Sequence, residues 1–214
     1  MGVSLGFEHS GCVTESGHVY TWGNNYYGRL GLGDENNRYS PTLVEALAGE
    51  FCVQISCGGY HTMAINREGQ LYVWGKADAR LGLGSMGRGE AYGDASGGGK
   101  SVCVPRLHHL LGAKSYNERL NHRERRFGGA TAAAGGGERP MQGEEGASSK
   151  DTVVVQCCAA FEHSMVMTST GQVLTFGLNT AGKLGIGTNL SIGGHNGGSE
   201  LQTPARAEIP MHVT

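Results

Sequence analysis

The sequence predicts an all-β protein built from three copies of one repeat. The chain has 214 residues, and 38 of them are glycine, which is well above the usual share. The copies occupy residues 4–23, 56–75 and 158–177 and align without a gap. Each copy joins two short apolar segments through a turn that contains glycine, which is the pattern of a β-hairpin. Such repetition indicates a fold assembled from similar units.

A histidine, a turn glycine and an aromatic–glycine pair recur at fixed places in the three copies. Because glycine accepts a positive φ, the pair Ser16-Gly17 and its counterparts predict a two-residue hairpin loop. No acid or thiol stands at a fixed short spacing from the histidines, so we expect each to hydrogen-bond neighbouring backbone within its unit and not to bind a metal. The predicted structural anchors are His9, Gly17, Trp22, Gly23, His61, Gly69, Trp74, Gly75, His163, Gly171, Phe176 and Gly177.

A glycine stutter follows each aromatic–glycine pair, as GRLGLG, ARLGLG and GKLGIG at residues 28–33, 79–84 and 182–187. A phosphate-binding loop would need a following Gly-Lys-Ser/Thr step, and a dinucleotide site would need a strand before G-x-G-x-x-G and a helix after it. Neither context is present. We therefore interpret the stutter as a structural turn that lets strands pack closely.

The units have the length of propeller blades once their insertions are set aside, at about 50 residues each. Strand-like segments at 52–56 and 154–158 precede the second and third copies, whereas Met1 falls inside the corresponding strand of the first. The predicted domains are blade one at 1–50, incomplete at its N-terminus, blade two at 51–111 with an insert at 86–101, a low-complexity insert at 112–151, and blade three at 152–214. The prediction is a partial β-propeller of three blades.

Both inserts are predicted to be disordered, because they are rich in glycine and polar residues and bury too little apolar surface to offset the entropy of ordering. The run from Lys114 to Arg126 is locally basic, but Glu118 and Glu124 dilute its charge. A solvated start to the insert is favoured over a nuclear signal or a phosphate-binding patch.

Composition excludes several classes of function. The formal net charge of −2 gives no general affinity for nucleic acid, and no apolar run reaches the length of a membrane span. We recognise no secretory signal, so the six cysteines are expected to be free thiols. Neither a carboxylate pair nor a nucleophile elbow is evident, so we predict no catalytic residue, no cofactor, no metal and no enzymatic activity.

The repeat closely resembles the regulator of chromosome condensation repeat family. The resemblance rests on the Gly-x-x-His steps from Gly6 to His9 and from Gly58 to His61, on the Trp-Gly pairs, and on the Leu-Gly-x-Gly runs. The third copy departs from the pattern, because Ala160 replaces the first glycine and Phe176 replaces the tryptophan. The family implies a β-propeller, usually of seven four-stranded blades, that serves as a platform for protein partners.

The resemblance implies a regulator of a small GTPase, of the guanine-nucleotide exchange type, with docking to chromatin as a further role of the family. The alternative is a substrate-recognition fragment of a larger ubiquitin ligase or other multidomain protein. Three blades do not make a ring of seven, so we expect either a fragment or an arc completed by self-association. No membrane or small-molecule partner is predicted, and the expected location is the cytoplasm or the nucleus.

The working surface is predicted to be the loops at one end of the blades. Exposed aromatic residues beside arginine are typical of interface anchors, although packing of a tyrosine within its blade explains them equally well. The cation recurs in all three copies, whereas the aromatic residues do not. The predicted partner contacts are Tyr26, Tyr27, Arg29, Asp78, Arg80 and Lys183.

Overall fold

The residues that the structure describes form three antiparallel four-stranded sheets, which confirms the prediction of an all-β partial propeller. This computed structural model describes residues 1–83, 101–108 and 153–186, together with the backbone of Glu200–Arg206. The insert at 112–151, nearly all of the insert at 86–101 and the side chain of Pro204 lie outside the described residues. In the described part, no helix is long and apolar enough to cross a membrane.

Each sheet is one blade, and its strands follow one another in chain order from one edge to the other. Blade one contains β1 (Gly2–Leu5), β2 (His9–Val13), β3 (Val19–Gly23) and β4 (Arg38–Leu43). Blade two contains β5 (Cys52–Cys57), β6 (His61–Asn66), β7 (Leu71–Lys76) and β8 (Ser101–Leu107). Blade three contains β9 (Val154–Ala159), β10 (His163–Thr168), β11 (Val173–Leu178) and β12 (Glu200–Arg206).

Blade one contains its first strand in shortened form, directly after Met1. Strand β1 pairs with β2 from Gly2 opposite Val13 to Leu5 opposite Ser10. It has four residues, whereas β5 and β9 have six. Four residues suffice because alternate side chains still reach both faces of the sheet.

The hairpin between the second and third strands has three loop residues, not the predicted two. In blade one, the backbone N–H of Thr14 donates to His18 O, and the N–H of Gly17 donates to Thr14 O. Gly17 has φ of 80°, and Gly69 and Gly171 take 75° and 77° at the same place. A type I turn closed by a residue in the left-handed region is the common three-residue hairpin, and it favours glycine at that position.

The core lies between the blades. Strand β5 packs on β1 and β2, and β9 packs on β5 and β6, so the first strand of each blade contacts the blade before it. Every residue of β6 is buried, because blade two is covered on both faces, whereas burial alternates along β2 and β10. Among the described strands, the middle blade therefore has two packed faces, and each outer blade has one.

Candidate protein-interaction surface

Five aromatic rings from all three blades form a connected row, here called the aromatic ledge. The row consists of Phe7, Phe161, Tyr60, Tyr27 and Tyr26. Successive ring centroids are 5.2, 5.4, 5.7 and 4.2 Å apart in that order. The first three separations lie in the range of favourable aromatic pairs, and Tyr26 and Tyr27 are closer still, so the rings support one another.

The ledge lies at one end of the blades because of the strand pairing. Its residues belong to the turns between first and second strands and to the turns that follow third strands. His9 pairs with Gly23 across β2 and β3, and His61 pairs with Gly75 across β6 and β7, so both kinds of turn emerge at the same end. The glycine hairpins lie at the opposite end. The ledge therefore occupies one of the two loop surfaces of the arc.

The turns that carry the ledge are held by backbone hydrogen bonds within and between blades. The N–H of Gly58 donates to His61 O and closes its own turn, while the N–H of Phe7 donates to Gly58 O of the next blade. The N–H of Gly59 donates in the same way to Ala160 O of blade three. Aromatic residues on these turns are consequently presented by a rigid frame.

Several rings of the ledge are open to solvent. Phe7 is 62% exposed, Tyr26 is 50% exposed and Phe161 is 46% exposed, whereas Tyr27 and Tyr60 are half-buried. Single exposed apolar residues are ordinary on a protein surface. A contiguous exposed group that joins three repeats is a feature of binding surfaces.

Cations from neighbouring turns lie against the ledge. The guanidinium carbon of Arg29 is 4.9 Å from the centre of the Tyr60 ring, and that of Arg80 is 5.3 Å from it. The Lys76 ammonium lies 5.1 Å from the centre of the Tyr27 ring. Attraction between a cation and an aromatic face stabilises these ring positions.

Arg29 and Arg80 stay predicted partner contacts, but both side chains are buried. Arg29 donates through Nε to Tyr26 O at 2.9 Å and through Nη1 to Gly59 O at 3.1 Å, which ties blade one to blade two. Arg80 pairs with Asp78 at 2.9 Å, with 7% of its side chain exposed. Arg29 thus supports the junction between blades one and two, whereas Arg80 and Lys183 pair with acids of their own blades.

The remaining predicted contacts are divided between the ledge and its margin. Tyr26 and Tyr27 belong to the ledge, and Tyr27 has a φ of 64°, which is uncommon for a side chain of its size. Asp78 is mostly covered by its ion pair. Lys183 pairs with Glu162 and keeps 23% of its side chain exposed. None of these positions has been tested as a contact, so they stay predictions.

The repeat histidines join blades through side-chain hydroxyls, whereas the sequence suggested backbone partners within one blade. His9 Nε2 lies 2.8 Å from Thr62 Oγ1, and His61 Nε2 lies 2.7 Å from Ser164 Oγ. Both rings are buried, and burial lowers the pKa of His9 to about 3 and of His61 to about 3. Neutral imidazole is therefore the folded form, and its role is structural.

The aromatic anchors also reach across the junctions. Trp74 Nε1 donates to Arg29 O at 2.9 Å, and the Trp74 ring is fully buried. Phe176 is equally buried, and its ring covers Gly82 of blade two. The glycine after each aromatic anchor has φ between 108° and 118°, at Gly23, Gly75 and Gly177.

Sequence reasoning missed Phe7, Tyr60 and Phe161, which are three of the five rings of the ledge. The available signal was an aromatic residue two places before the repeat histidine in copies one and three. In copy two that place is Gly59, and the aromatic residue is Tyr60. A Cβ added at Gly59 would lie 2.6 Å from Phe161 O and 2.8 Å from its ring, so glycine at this place makes room for Phe161.

The described residues hold no group of three His, Cys, Asp or Glu side chains placed to bind a metal ion. All six cysteines are free, and Cys52, Cys57, Cys103 and Cys157 are buried. Burial raises the pKa of the Cys52 thiol to about 11 and of the Cys57 thiol to about 12, which keeps both protonated near neutral pH.

Three four-stranded blades joined through equivalent contacts define the chain as a β-propeller repeat protein. Two family models of the regulator of chromosome condensation (RCC1) repeat match it, one at residues 16–65 and one at residues 2–29. Residues 2–65 therefore carry the RCC1 repeat, as the sequence resemblance implied.

Relatives with the same repeat include ubiquitin ligases and a light receptor. The chain is 39% identical over 93 residues to the E3 ubiquitin-protein ligase HERC2 of Homo sapiens, a match that covers 42% of the chain and 2% of the ligase. It is 29% identical over 188 residues to the ultraviolet-B receptor UVR8 of Arabidopsis thaliana, which covers 88% of the chain and 31% of the receptor. The chain thus spans less than a third of either protein.

Solved structures share the fold. Yeast RCC1 (Prp20), in its complex with Kap60, matches 98% of the chain with a TM-score of 0.66 and 16% sequence identity. The chain covers 37% of that protein. A second structure of Prp20p, from Saccharomyces cerevisiae, was described with its binding properties to Gsp1p and histones, and has the same TM-score. At this identity the likeness shows the fold alone.

Proposed function

We propose that this chain is a protein-interaction scaffold and that the aromatic ledge is the surface that holds its partner. The proposal depends above all on one observation, the connected row of rings that spans three blades with Phe7 62% exposed. Aromatic side chains contribute much of the energy of protein interfaces, since they bury a large area at little entropic cost.

The rigidity of the ledge supports the proposal. Its turns are fixed by hydrogen bonds between blades, and cations beneath hold the tyrosine rings in place. A surface that is ordered before binding loses little conformational entropy when a partner docks. The exposed carboxylates of Glu8 and Glu162 flank the phenylalanine rings and give the rim a polar character. An apolar centre within a polar rim is the usual anatomy of an interface.

For the identity of the partner, the proposal is a small GTPase on which the protein promotes nucleotide exchange. The support is the family itself and the solved relative whose binding properties to Gsp1p were described. The test is release of a fluorescent guanine nucleotide from a panel of small GTPases, with the chain at substoichiometric concentration. Faster release supports exchange, and unchanged release from every GTPase of the panel removes it.

Recognition of a ubiquitin-ligase substrate is the second candidate. It is favoured by a specific observation, since the chain is 41% identical over 87 residues to the probable E3 ubiquitin-protein ligase HERC4 of Homo sapiens. In this case the chain would bind a protein without altering nucleotide release. Binding to a GTPase-free protein partner, with no effect in the exchange assay, would separate the two candidates.

The ledge itself is tested with Phe7→Ala combined with Phe161→Ala. These rings are exposed, so their loss should leave the fold intact while it weakens partner binding at least about tenfold, as expected when interface anchors are removed. Tyr39→Ala is the matched control, because Tyr39 is 96% exposed on the outermost strand of blade one and makes none of the ring contacts of the ledge. Equal binding by the double variant and the control would refute the ledge as the working surface.

A further inference from the structure

The arc has two outer sheet faces that lack a neighbouring blade in the described residues. We call the face of a blade that is turned toward the preceding blade its leading face, and the opposite face its trailing face. The leading face of blade one presents Val3, Leu5, Ser10, Cys12 and Trp22. The trailing face of blade three presents Cys158, His163, Met165 and Met167. These sets follow from the strand pairing, since directly paired residues of neighbouring strands share a face.

The two internal junctions show what each kind of face requires. The trailing histidine of one blade meets a hydroxyl on the leading face of the next, as His9 meets Thr62 and His61 meets Ser164. That hydroxyl donates onward to a backbone carbonyl of the earlier blade, from Thr62 to Arg29 O and from Ser164 to Arg80 O, at 2.7 and 2.8 Å. Each junction is thus a relay from imidazole to hydroxyl to carbonyl.

The outer faces hold the two halves of a third relay. His163 occupies the place of His9 and His61 but is only half-buried, whereas those two rings are 3% and 0% exposed. Ser10 occupies the place of Thr62 and Ser164 on the leading face of blade one. The carbonyl in the place of Arg29 O belongs to Lys183. Blade three therefore carries the imidazole that would donate, and blade one carries the hydroxyl that would accept.

The apolar residues of the outer faces also correspond to residues that are buried at the internal junctions. Met165 and Met167 are 40% and 37% exposed, while Met63 and Ile65 at the same places in blade two are 0% and 1% exposed.

On the leading side, Val3 and Leu5 are 77% and 80% exposed, whereas their counterparts Ile55 and Cys57 are 5% and 4% exposed. At the first junction, Ile55 and Cys57 are the side chains nearest to the Cβ position of Gly11, the counterpart of Met165. Met165 would accordingly meet Val3 and Leu5.

Trp22 completes the leading face. Its counterparts Trp74 and Phe176 are fully buried, whereas Trp22 is half-buried. At the first junction, Trp74 Nε1 donates to Arg29 O. The corresponding acceptor for Trp22 is the carbonyl of Lys183 at the far end of the arc.

We propose that the trailing face of blade three docks on the leading face of blade one in a second copy of this chain. In this head-to-tail junction, His163 of the first copy donates to Ser10 of the second copy. Ser10 and Trp22 of the second copy both donate to the Lys183 carbonyl of the first. The occupant is a second copy because each face supplies the groups that the other lacks, in the register of the internal junctions. Such a contact is heterologous, so it closes into a ring or continues into longer assemblies.

A cysteine-pair experiment tests the register directly. Leu5→Cys and Met165→Cys are made in separate chains, both with Cys12→Ser and Cys158→Ser so that these two more accessible thiols are removed. When the two variants are mixed and oxidised, a disulfide-linked dimer is expected. Leu5→Cys alone gives no such dimer, because two leading faces do not meet in this arrangement. A chain carrying Tyr39→Cys in place of Leu5→Cys is the control for random collision.

Solution mass provides the second measurement. Light scattering of the full chain over a concentration series should show a mass that rises above the 22.5 kDa of one chain. Met165→Glu with Met167→Glu should abolish the rise while circular dichroism stays unchanged, and Leu5→Glu should do the same from the other face. Wild-type chain that stays at one-chain mass throughout overturns the proposal.

Two further outcomes also overturn it. One is a cross-link formed equally well by Leu5→Cys alone or by Tyr39→Cys. The other is an association that survives the charge variants but disappears with Phe7→Ala, since the copies would then meet through the aromatic ledge. Binding of another protein at the ledge is measured separately with the Phe7→Ala and Phe161→Ala double variant, so failure of the head-to-tail junction and failure of the proposed function are distinguishable.

Discussion

His9 and Thr62 belong to different blades, and the Nε2 atom of the histidine lies 2.8 Å from the hydroxyl oxygen of the threonine. The Thr62 hydroxyl donates its hydrogen bond to Arg29 O at 2.7 Å. It therefore accepts from His9, which fixes the histidine as the tautomer protonated at Nε2. The same argument applies to His61 and Ser164. Two neutral, buried histidines thus stabilise the two internal junctions of the arc.

Removing the Thr62 hydroxyl is expected to destabilise the first junction. Thr62→Val leaves His9 Nε2–H buried without an acceptor, and we expect the free energy of unfolding to fall by about 1–3 kcal/mol. Urea denaturation measures the change. Ser40→Ala is the control, because Ser40 is exposed on β4 and its loss should change stability little. A Thr62→Val protein as stable as the control would contradict the relay.

Stability is expected to fall with pH below neutrality because of the two histidines. Burial, aided by Arg29 and Arg80, lowers the pKa of His9 and of His61 to about 3, while in the unfolded chain both titrate near 6.5. The unfolded chain then binds more protons than the folded chain between these values, so the free energy of unfolding falls as pH is lowered through 6.5. Each histidine contributes about 1.4 kcal/mol per pH unit at full slope.

This pH dependence is measured by urea denaturation between pH 7 and pH 5. Most carboxylates have a pKa of about 4 and therefore titrate below this range. His61→Gln keeps a side-chain donor but removes one titrating group, so it should lower the slope, to which His163 also contributes because burial lowers its pKa. If the variant and the wild-type chain lose stability with the same slope, His61 is protonated in the folded state and the assignment fails.

A side chain at position 59 should disturb the ledge and the second junction together. In Gly59→Ala, the added Cβ meets Phe161 O at 2.6 Å and the Phe161 ring at 2.8 Å, and backbone atoms yield little. We expect a loss of about 1–3 kcal/mol, the usual cost of overpacking. Gly49→Ala is the matched control, since no atom lies within 4 Å of the Cβ position there. Thermal or urea unfolding of the two variants should separate them clearly.

Replacing Arg29 with lysine is expected to lower the stability of the fold. Arg29→Lys removes the donation from Nε to Tyr26 O and the flat guanidinium that lies against Tyr60. Because a buried hydrogen bond and a contact between the guanidinium and an aromatic ring are both lost, we expect a destabilisation of about 1–3 kcal/mol. Arg67→Lys should change stability by a few tenths at most, since its pair with Glu68 is exposed. Comparable stability of the two variants would count against Arg29 as a junction residue.

The two tryptophans should report different environments. In a Trp22→Phe chain, fluorescence comes from Trp74, which is fully buried, so its emission should be blue-shifted and resist quenching by acrylamide. In a Trp74→Phe chain, the half-buried Trp22 should be quenched more readily at low protein concentration. Equal quenching of the two residues would mean that the leading face of blade one is covered.

The sequence predicted the fold well because repetition multiplies a weak signal. One hairpin pattern with a histidine before it is ambiguous, but three aligned copies indicated three β-sheets and their family. Hairpin geometry was less accurate, because Ser16-Gly17 fits both a two-residue loop and the three-residue loop that the Thr14 and His18 backbone forms. A glycine with positive φ is common to both.

The candidate site was predicted only in part. Tyr26 and Tyr27 were identified from their place on an exposed turn, and both belong to the ledge. Arg29 was expected beside them at the surface, yet its side chain is buried between blades. A sequence shows that a cation recurs but not whether it faces solvent or the next blade, because that depends on contacts between residues far apart in the chain.

The sequence by itself determined which residues are equivalent, and hence that blades of one kind stand in series. Only the tertiary structure decided what the equivalent residues do, because their partners lie one blade away, as Thr62 does for His9 and Ser164 for His61. Packing of blade upon blade brought Phe7, Tyr60 and Phe161 into one row, and it left the histidine of blade three and the serine of blade one at opposite ends of the arc. Contacts between repeats arise from the rotation of one sheet against the next, and that rotation is not legible in the pattern of a single repeat.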